Sequence, residues 1–342
     1  MASVKGKLFE YFVCKLLMAC GFKQVAKDGL LIFDGRPGTM IQGLGQAHNA
    51  DVLLEPPFQT PFYFSTRLLV ECKCYNDTIG LPVIRNALGL REDINSFDIV
   101  TEEILENRRL SYTTRSICYP MKRYSYQVAV ASFGGFKSTA IPFAQAHRIP
   151  LISFSESMLF HSIRDSILEV ERRANFDEEY AEFVLQYLVE HQYERFVYSD
   201  DNYRDDIFES FINGIRWFQD RIVIGLLEDG TILFMIKNAQ DNLYQEQNNI
   251  YNDGCEIYWS NDVDAWELRD GRQSYSFELP KEIYQKWVES AEEQRRAAVR
   301  IKQDYFSKIV LFENDFGERD SIRTLHLSER FIETAKRNLN MV

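Results

Sequence analysis

Two carboxylates and a lysine stand at the ends of two predicted strands, where they could act on a phosphate substrate. Asp51 lies early on a strand predicted over residues 50–55, and Glu71 and Lys73 lie two residues apart on a strand predicted over residues 67–75. Because side chains alternate along a strand, Glu71 and Lys73 share one face. An apolar run precedes Glu71, so burying these charges is costly unless something compensates them.

A divalent cation held by Asp51 and Glu71 would compensate both carboxylates. Carboxylate oxygens suit Mg²⁺, with Mn²⁺ as a substitute, and Mg²⁺ keeps several waters and leaves room for a phosphate. Such an ion polarises a scissile phosphate and acidifies a bound water. Lys73 then orients or deprotonates that water or stabilises the developing charge. Glu10, on a helix predicted over residues 4–18, could complete the metal shell. Together these residues predict Mg²⁺-dependent phosphodiester hydrolysis.

The elements that position these residues follow from the hydrophobic periodicity of the first half of the chain. The pattern predicts a helix, three strands, a helix, a strand, a helix and a strand, at residues 4–18, 30–33, 50–55, 67–75, 80–96, 127–133, from 134–135 to 146, and 150–154. The last strand–helix–strand connection is short and therefore implies a parallel pair. We expect the α/β class, with a mixed sheet flanked by helices.

The set Glu10, Asp51 and Glu71-Cys72-Lys73, with Gly6 one helical turn before Glu10, resembles the PD-(D/E)XK nuclease superfamily and, within it, the Mrr-like restriction-endonuclease branch. The resemblance covers roughly residues 5–155, although Ala50 precedes Asp51 where proline is common. It implies a restriction-endonuclease-like fold, metal binding by the Asp and Glu, action of the lysine on water and assistance from the helix Glu. It also implies endonucleolytic cleavage of duplex DNA in restriction or anti-phage defence.

Three further residues are candidates for nucleic-acid binding. Gln46 and His48 lie in a glycine-containing segment just before Asp51, and Lys137 follows a Gly-Gly pair that could open a helix toward a phosphate. A basic connection between the second helix and the fourth strand is a candidate for backbone binding. It contains Arg108, Arg109, Arg115, Lys122 and Arg123. For each of these residues, a structural or merely solvated side chain is the alternative.

Length and charge predict two domains of unlike character. A chain of 342 residues favours a nuclease domain over residues 1–170 and an acidic α+β domain of unknown role over residues 171–342. Residues 1–166 have a net charge of +3 and residues 167–342 have −15, so only the first half should approach phosphates. The second half is predicted to mediate assembly, regulation or recognition of a protein or small-molecule effector.

The second half is predicted to contain two helices, a hairpin at Asp229-Gly230, a mobile polar stretch over residues 237–254, a second strand pair over 256–259 and 274–279, and a long charged helix after Pro280.

No apolar run of about 18 residues and no signal-peptide pattern occur, which predicts a cytoplasmic protein without membrane contact. A homodimer is one candidate assembly. The alternatives to a restriction enzyme are a non-catalytic sensing or binding module on a nuclease-like scaffold, and a DNA repair or recombination nuclease.

Overall fold

The structure, a computed structural model, describes most of the chain and divides it into two compact units. The described residues are 3–36, 38–59, 64–97, 106, 124–155, 157–194, 206–227, 230–238, 254–260, 265–270, 273–279, 294–315 and 319–338. The central unit is Phe22–Ser153, and the bipartite unit joins Met1–Gly21 to Phe154–Val342. The predicted domains, 1–170 and 171–342, stay a prediction.

The described helices and strands follow one another as below, in chain order. They are α1 (Val4–Ala19), β1 (Lys23–Gln24), β2 (Ile32–Gly35), β3 (Gly38–Gln42), β4 (Ala47–Asn49), β5 (Val52–Glu55), β6 (Ser65–Lys73), α2 (Leu81–Ser96), β7 (Tyr124–Ser132), α3 (Ile141–Ala146), β8 (Leu151–Ser153), α4 (His161–Ala174), α5 (Glu178–Glu190), α6 (Asp206–Phe218), β9 (Ile222–Leu227), β10 (Ile232–Lys237), β11 (Gly254–Ser260), β12 (Ala265–Arg269), β13 (Ser274–Phe277), α7 (Gln294–Phe306), β14 (Lys308–Asp315), β15 (Arg319–Leu327) and α8 (Glu329–Asn338).

The central unit is built on a five-stranded mixed sheet in the order β1-β5-β6-β7-β8. The first two pairings, β1 with β5 and β5 with β6, are antiparallel, whereas β6 with β7 and β7 with β8 are parallel. The α/β class and the parallel pairing of the last strand are therefore confirmed. Helix α2 packs its apolar side on this sheet because Ile84, Ala87 and Ile94 recur at helical spacing and are buried with strand residues such as Val128.

A small antiparallel sheet, β2-β3-β4, precedes the strand that follows Asp51. The sequence predicts only the first of these strands, because β3 and β4 are short and include polar and glycine residues that resemble a loop. His48 consequently lies on a strand rather than in the loop where the sequence places it.

The N-terminal helix α1 belongs to the bipartite unit. The hydroxyl of Ser3 caps it by accepting the N–H of Gly6 at 3.1 Å, and Gly21, with φ of 93°, follows its end in the left-handed region. The predicted helix over residues 4–18 is confirmed. Its apolar residues are buried against α4, α5 and α6, and Phe9 meets Phe154 edge to face at 5.5 Å between ring centroids.

The rest of the bipartite unit contains a closed seven-stranded barrel in the order β10-β13-β12-β11-β15-β14-β9. The predicted hairpin is confirmed as the antiparallel pair β9 and β10. The next two predicted strands are β11 and β13, and a strand that the sequence did not predict, β12, lies between them and pairs with both. Glu267 and Arg269 form an ion pair at 2.6 Å within β12, and these charges obscure its apolar alternation in the sequence.

Some predictions for the second half fall wholly or partly on residues outside the described ranges. These are the polar stretch over 237–254, Asp229 of the predicted hairpin, and the start of the charged helix after Pro280. Within the described part of the chain, no helix has the length and apolar character that a bilayer crossing requires.

Candidate active site

Asp51 and Glu71 lie at the end of the β5–β6 ladder in the central unit. The antiparallel register pairs Val52 with Val70. Asp51, which precedes Val52, is therefore opposite Glu71, which follows Val70. Lys73 Nζ donates to Glu71 Oε2 at 2.8 Å, which places both side chains on one face of β6. The three residues that the sequence singles out on these strands therefore meet at one end of the sheet.

The carboxylate of Asp51 accepts a hydrogen bond on each of its two oxygens. Its Oδ2 accepts the backbone N–H of Cys72 at 2.9 Å, and its Oδ1 accepts from Asn49 Nδ2 at 3.2 Å. A side-chain oxygen of Asp51 thus serves a backbone donor of β6 where the β5–β6 pairing ends. Asn49 was not predicted as a site residue, although an amide two positions before a candidate ligand is a signal that could have indicated it.

Lys73 is positively charged in this arrangement. Burial lowers the pKa of its ammonium, but the adjacent Glu71 and Asp51 carboxylates more than offset burial and raise that pKa above its ordinary value. The side chains of Glu71 and Lys73 are only 18% and 26% exposed, so water screens their attraction incompletely. A lysine that keeps its proton can orient a water and stabilise negative charge.

The donor chemistry of Asp51 and Glu71 fits a small divalent cation. Mg²⁺ and Mn²⁺ favour oxygen ligands, and Mg²⁺ commonly uses one or two protein carboxylates and retains waters in its other positions. Two carboxylates at opposed strand positions provide that set. No group of three or more His, Cys, Asp or Glu side chains suited to a metal occurs among the described residues. Any ion held here would therefore depend on two side chains together with water and substrate oxygens.

Glu10 lies on α1, in the bipartite unit. Lys7, one turn earlier, donates to its carboxylate at 2.5 Å, and the Glu10 side chain is 14% exposed. An ion pair at this helical spacing gives Glu10 a local structural role in α1. Its predicted part in a metal shell stays a prediction.

His48 and Gln46 stabilise the β3–β4 connection, and His48 links it to α2. His48 Nε2 lies 2.6 Å from Asp93 Oδ2, and the N–H of Gly45 donates to Asp93 Oδ1 at 2.8 Å. The hydrogen bond from His48, followed by backbone bonds including that of Gly45, lowers the pKa of the Asp93 carboxyl. Gln46 O accepts the N–H of Gly43 at 2.9 Å. Nucleic-acid contacts by Gln46 and His48 stay predictions.

Lys137 follows β7, but it does not open a helix. The helix predicted from residues 134–135 begins only at Ile141, with Pro142 in its first turn. The N–H of Lys137 instead donates to Ile79 O at 2.9 Å. That donor is already used, so the predicted helix-terminal phosphate site is not formed there, and only the Lys137 side chain remains as a predicted contact.

Gly134 allows a close contact that the sequence does not reveal. A Cβ at this position would lie 2.5 to 2.6 Å from the carbonyl oxygens of Tyr75, Asn76 and Asp77, in the segment that follows Lys73. The N–H of Phe133 donates to Lys73 O at 3.0 Å, which ties the same two segments together. The basic connection that includes Arg108 and Lys122 lies outside the described residues.

Comparison with known proteins identifies no family for this chain. No family model matches it, and no curated protein matches it. A solved structure titled "Crystal Structure of Protein of Unknown Function AF1548" is similar with 12% sequence identity and a TM-score of 0.30, over 62% of this chain and 97% of that chain. A TM-score this low supports no conclusion about fold or function.

Proposed function

We propose that the chain is a metal-dependent nuclease whose central unit hydrolyses phosphodiester bonds, with DNA as substrate. The supporting observation is the meeting of Asp51, Glu71 and Lys73 at one end of the sheet, with Lys73 Nζ 2.8 Å from Glu71 Oε2. Opposed carboxylates suit a divalent cation, and a nearby ammonium suits a reaction that develops negative charge on phosphate.

The architecture of the central unit is compatible with a restriction-endonuclease-like fold of the PD-(D/E)XK, Mrr-like type, which we include in the proposal. A mixed sheet that changes from antiparallel to parallel at β6 places the end of β5 beside the end of β6. Helix α2 follows β6 in the chain and packs against β7. The helix after the strand of Glu71 and Lys73, and the later strand–helix–strand segment β7-α3-β8, support this part of the proposal.

Each residue has a distinct role in the proposed mechanism. Asp51 and Glu71 hold Mg²⁺ or Mn²⁺, which when bound polarises the phosphate and acidifies water. The backbone N–H of Cys72 donates to Oδ2 of Asp51 at 2.9 Å. Lys73 retains its proton, orients the attacking water and stabilises the charge that develops on the phosphate oxygens. A part for Glu10 in the metal shell is a prediction from the sequence.

The charge distribution favours DNA binding by the first half alone. Residues 1–166 have a net charge of +3, whereas residues 167–342, with −15, repel a phosphate backbone. The acidic half is therefore proposed as an assembly module, a regulator or a receptor for a protein or small-molecule effector. Gln46, His48 and Lys137 are proposed DNA contacts. Restriction or anti-phage defence, in a cytoplasmic homodimer, is the proposed context.

Incubation of the full chain with supercoiled plasmid, with Mg²⁺ or with chelator, tests the activity. Cleavage should require metal, and Asp51→Asn or Glu71→Gln should slow it on the order of a hundredfold or more. Asp34→Asn is the matched control, because that carboxylate pairs with Lys27 and is 70% exposed. Undiminished cleavage by Glu71→Gln contradicts the site, and failure of the parent to cut DNA contradicts the function.

A non-catalytic binding module is the second candidate. The observation that favours it is that Lys73 already compensates Glu71 without any metal, so the cluster is also a stable ion pair. Calorimetry with Mg²⁺ separates the two candidates. Heat of binding that disappears in Asp51→Asn favours the nuclease, whereas absence of binding both with and without a DNA duplex favours the module.

A further inference from the structure

Asn49 and Cys72 fix the carboxylate of Asp51 from two directions. Asn49 Nδ2 reaches Oδ1 at 3.2 Å from β4, and the N–H of Cys72 reaches Oδ2 at 2.9 Å from β6. The position of the Cys72 N–H is fixed because β6 is a paired strand of the sheet. The amide donor is a side chain, so its own position must be fixed by something else.

Strand β4 is anchored at the residue next to Asn49. His48 Nε2 lies 2.6 Å from Asp93 Oδ2, and Asp93 also accepts the N–H of Gly45 at 2.8 Å. Because neighbouring residues of a strand point to opposite faces, β4 presents His48 to α2 on one face and Asn49 to Asp51 on the other. Residue Gly43 sits so close to Asp93 that a Cβ there would lie 2.0 Å from Oδ2.

The chain between the His48–Asp93 contact and Asp51 is short and held by hydrogen bonds. The single residue between Asn49 and Asp51 is Ala50, which is buried and whose N–H donates to Thr39 O at 2.9 Å. The chain from His48 to Asp51 is thus tied to α2, to β3 and to β6 within four residues. A displacement of His48 would be transmitted to the Asp51 carboxylate.

The orientation of the Asn49 amide follows from its contact with Asp51. Its Oδ1 is buried and accepts no hydrogen bond from any residue in the described part of the chain. Turning the amide over would place that oxygen against a carboxylate oxygen, which is repulsive. Leaving the buried Oδ1 of Asn49 without a hydrogen bond is costly. The hydrogen bond from Nδ2 to Asp51 is the contact that favours this orientation of the amide.

We propose that Asn49 is a positioning residue for Asp51, and that the His48–Asp93 contact holds Asn49 in place through β4. His48 then acts on Asp51 through the fold, in addition to its proposed contact with DNA. This inference rests on the proposed function for its consequence, since Asp51 matters as a ligand only in a nuclease. The positioning itself is a property of the metal-free protein and is measured without activity.

Hydrogen exchange of the Cys72 amide in the metal-free full chain tests the positioning. If Asn49 holds the carboxylate, Asn49→Ala should raise the exchange rate of that amide roughly tenfold, about what one net hydrogen bond contributes. The amide of Val70, two residues earlier on β6, should keep its rate. Asn49→Ser, whose shorter hydroxyl does not reach Oδ1, provides a second variant with the same expected change. An unchanged Cys72 rate in both variants overturns the proposal.

Two substitutions at His48 test the second part of the proposal. Gln can donate to Asp93 from nearly the position of Nε2, whereas Leu cannot donate at all. His48→Leu should therefore raise the Cys72 exchange rate, and His48→Gln should restore the parental rate. Equal exchange rates of the Cys72 amide in these two variants would show that the His48–Asp93 contact does not affect the position of Asp51.

Plasmid cleavage links the positioning to the proposed reaction. Asn49→Ala should need roughly tenfold more Mg²⁺ for half-maximal cleavage, while the rate at saturating Mg²⁺ stays near the parental rate, because the ligand is present but less ordered. If the parent does not cleave, the proposed function fails while the exchange data still decide the positioning. If the parent cleaves and both variants match it in exchange and Mg²⁺ dependence, the positioning alone fails.

Discussion

Lys73 Nζ donates to Glu71 Oε2 at 2.8 Å along one face of β6, and the same ammonium attracts the Asp51 carboxylate. One side-chain cation therefore compensates two carboxylates that the β5–β6 register brings to opposed positions. In the absence of metal this lysine occupies the electrostatic role of a bound cation. The two carboxylates are therefore compensated by a lysine of the chain itself, and their oxygens also suit a divalent ion.

Replacing Lys73 by Met should separate cleavage from metal binding. Without the ammonium, the two carboxylates repel each other and attract a divalent ion more strongly. Lys73→Met should therefore lose cleavage on the order of a hundredfold or more, yet its melting temperature should rise more with millimolar Mg²⁺ than that of the parent. Thermal denaturation with and without Mg²⁺ measures this.

Two comparisons interpret the result for Lys73. Lys27→Met removes a lysine that pairs with exposed Asp34 and should change neither cleavage nor the response to Mg²⁺. Glu71→Gln should lose the response to Mg²⁺, because one ligand is gone. A Lys73→Met protein that still cuts DNA at the parental rate would be evidence against the assigned role of this lysine.

Gly134→Ala should strongly destabilise the central unit. The added methyl would lie 2.5 to 2.6 Å from three backbone carbonyl oxygens, and backbone cannot move aside as a flexible side chain can. We expect a loss of about 3 kcal/mol in the free energy of unfolding, measured by urea denaturation. Cleavage should also fall, because these carbonyls belong to the segment just after Lys73.

Gly89→Ala is the matched control for Gly134→Ala. Gly89 lies inside α2, and a Cβ there would have no neighbour within 4 Å. Since Ala is a better helix former than Gly, this variant should gain up to about 1 kcal/mol in stability. Equal effects of the two substitutions would refute the steric explanation.

Arg323→Leu should destabilise the barrel through two buried carboxylates. Arg323 Nη1 lies 2.6 Å from Asp270 Oδ2, and Nε lies 3.2 Å from Glu313 Oε2. Removing the guanidinium leaves both acids without their shared cation, which typically costs about 3 to 5 kcal/mol. Chemical denaturation measures the loss.

Tyr275→Phe and Arg330→Leu serve as comparisons for the barrel cluster. Tyr275 donates to Glu313 and accepts from Arg323, so its hydroxyl accounts for two hydrogen bonds and its loss should cost about 2 kcal/mol. Arg330 is exposed, and its replacement should have little effect. A similar small effect for Arg323→Leu would mean that the acids find other partners or protonate.

Lys302 should make stability depend on pH in the alkaline range. It donates to Ile257 O at 2.5 Å near the ring of Phe331, and burial lowers its pKa to about 8 from 10.5. Between these values the unfolded chain holds a proton that the folded chain has lost, so this residue's contribution to stability rises with pH.

The free energy of unfolding, measured at pH 7, 8.5 and 10 for the parent and for Lys302→Met, tests this linkage. The parent minus variant difference should shift in favour of the parent as pH rises, because Met does not titrate. Taking the difference cancels other titrating groups, such as Cys14, that the two proteins share. A difference that stays constant from pH 7 to pH 10 would exclude the linkage.

Local periodicity was enough to predict much of the central unit. The helical spacing of α1 and α2, and the apolar runs of β5, β6, β7 and β8, are properties of neighbouring residues. The same alternation predicts that Glu71 and Lys73 share a face, because their separation of two residues matches the period of a strand. The residue types alone suggested metal and phosphate chemistry.

Only the tertiary structure decided which distant residues meet. His48 and Asp93 are 45 residues apart, and Gly134 approaches carbonyls nearly 60 residues earlier, so no local pattern reports either contact. The place of β12 between β11 and β13 and the closure of the barrel were missed for the same reason, since strand order depends on pairing energies between remote segments. The types of the side chains and the periodicity of helices and strands can be read from short segments of the sequence. The strand register, the closure of the barrel and the orientation of the Asp51 carboxylate depend on which packing of the whole chain has the lowest free energy.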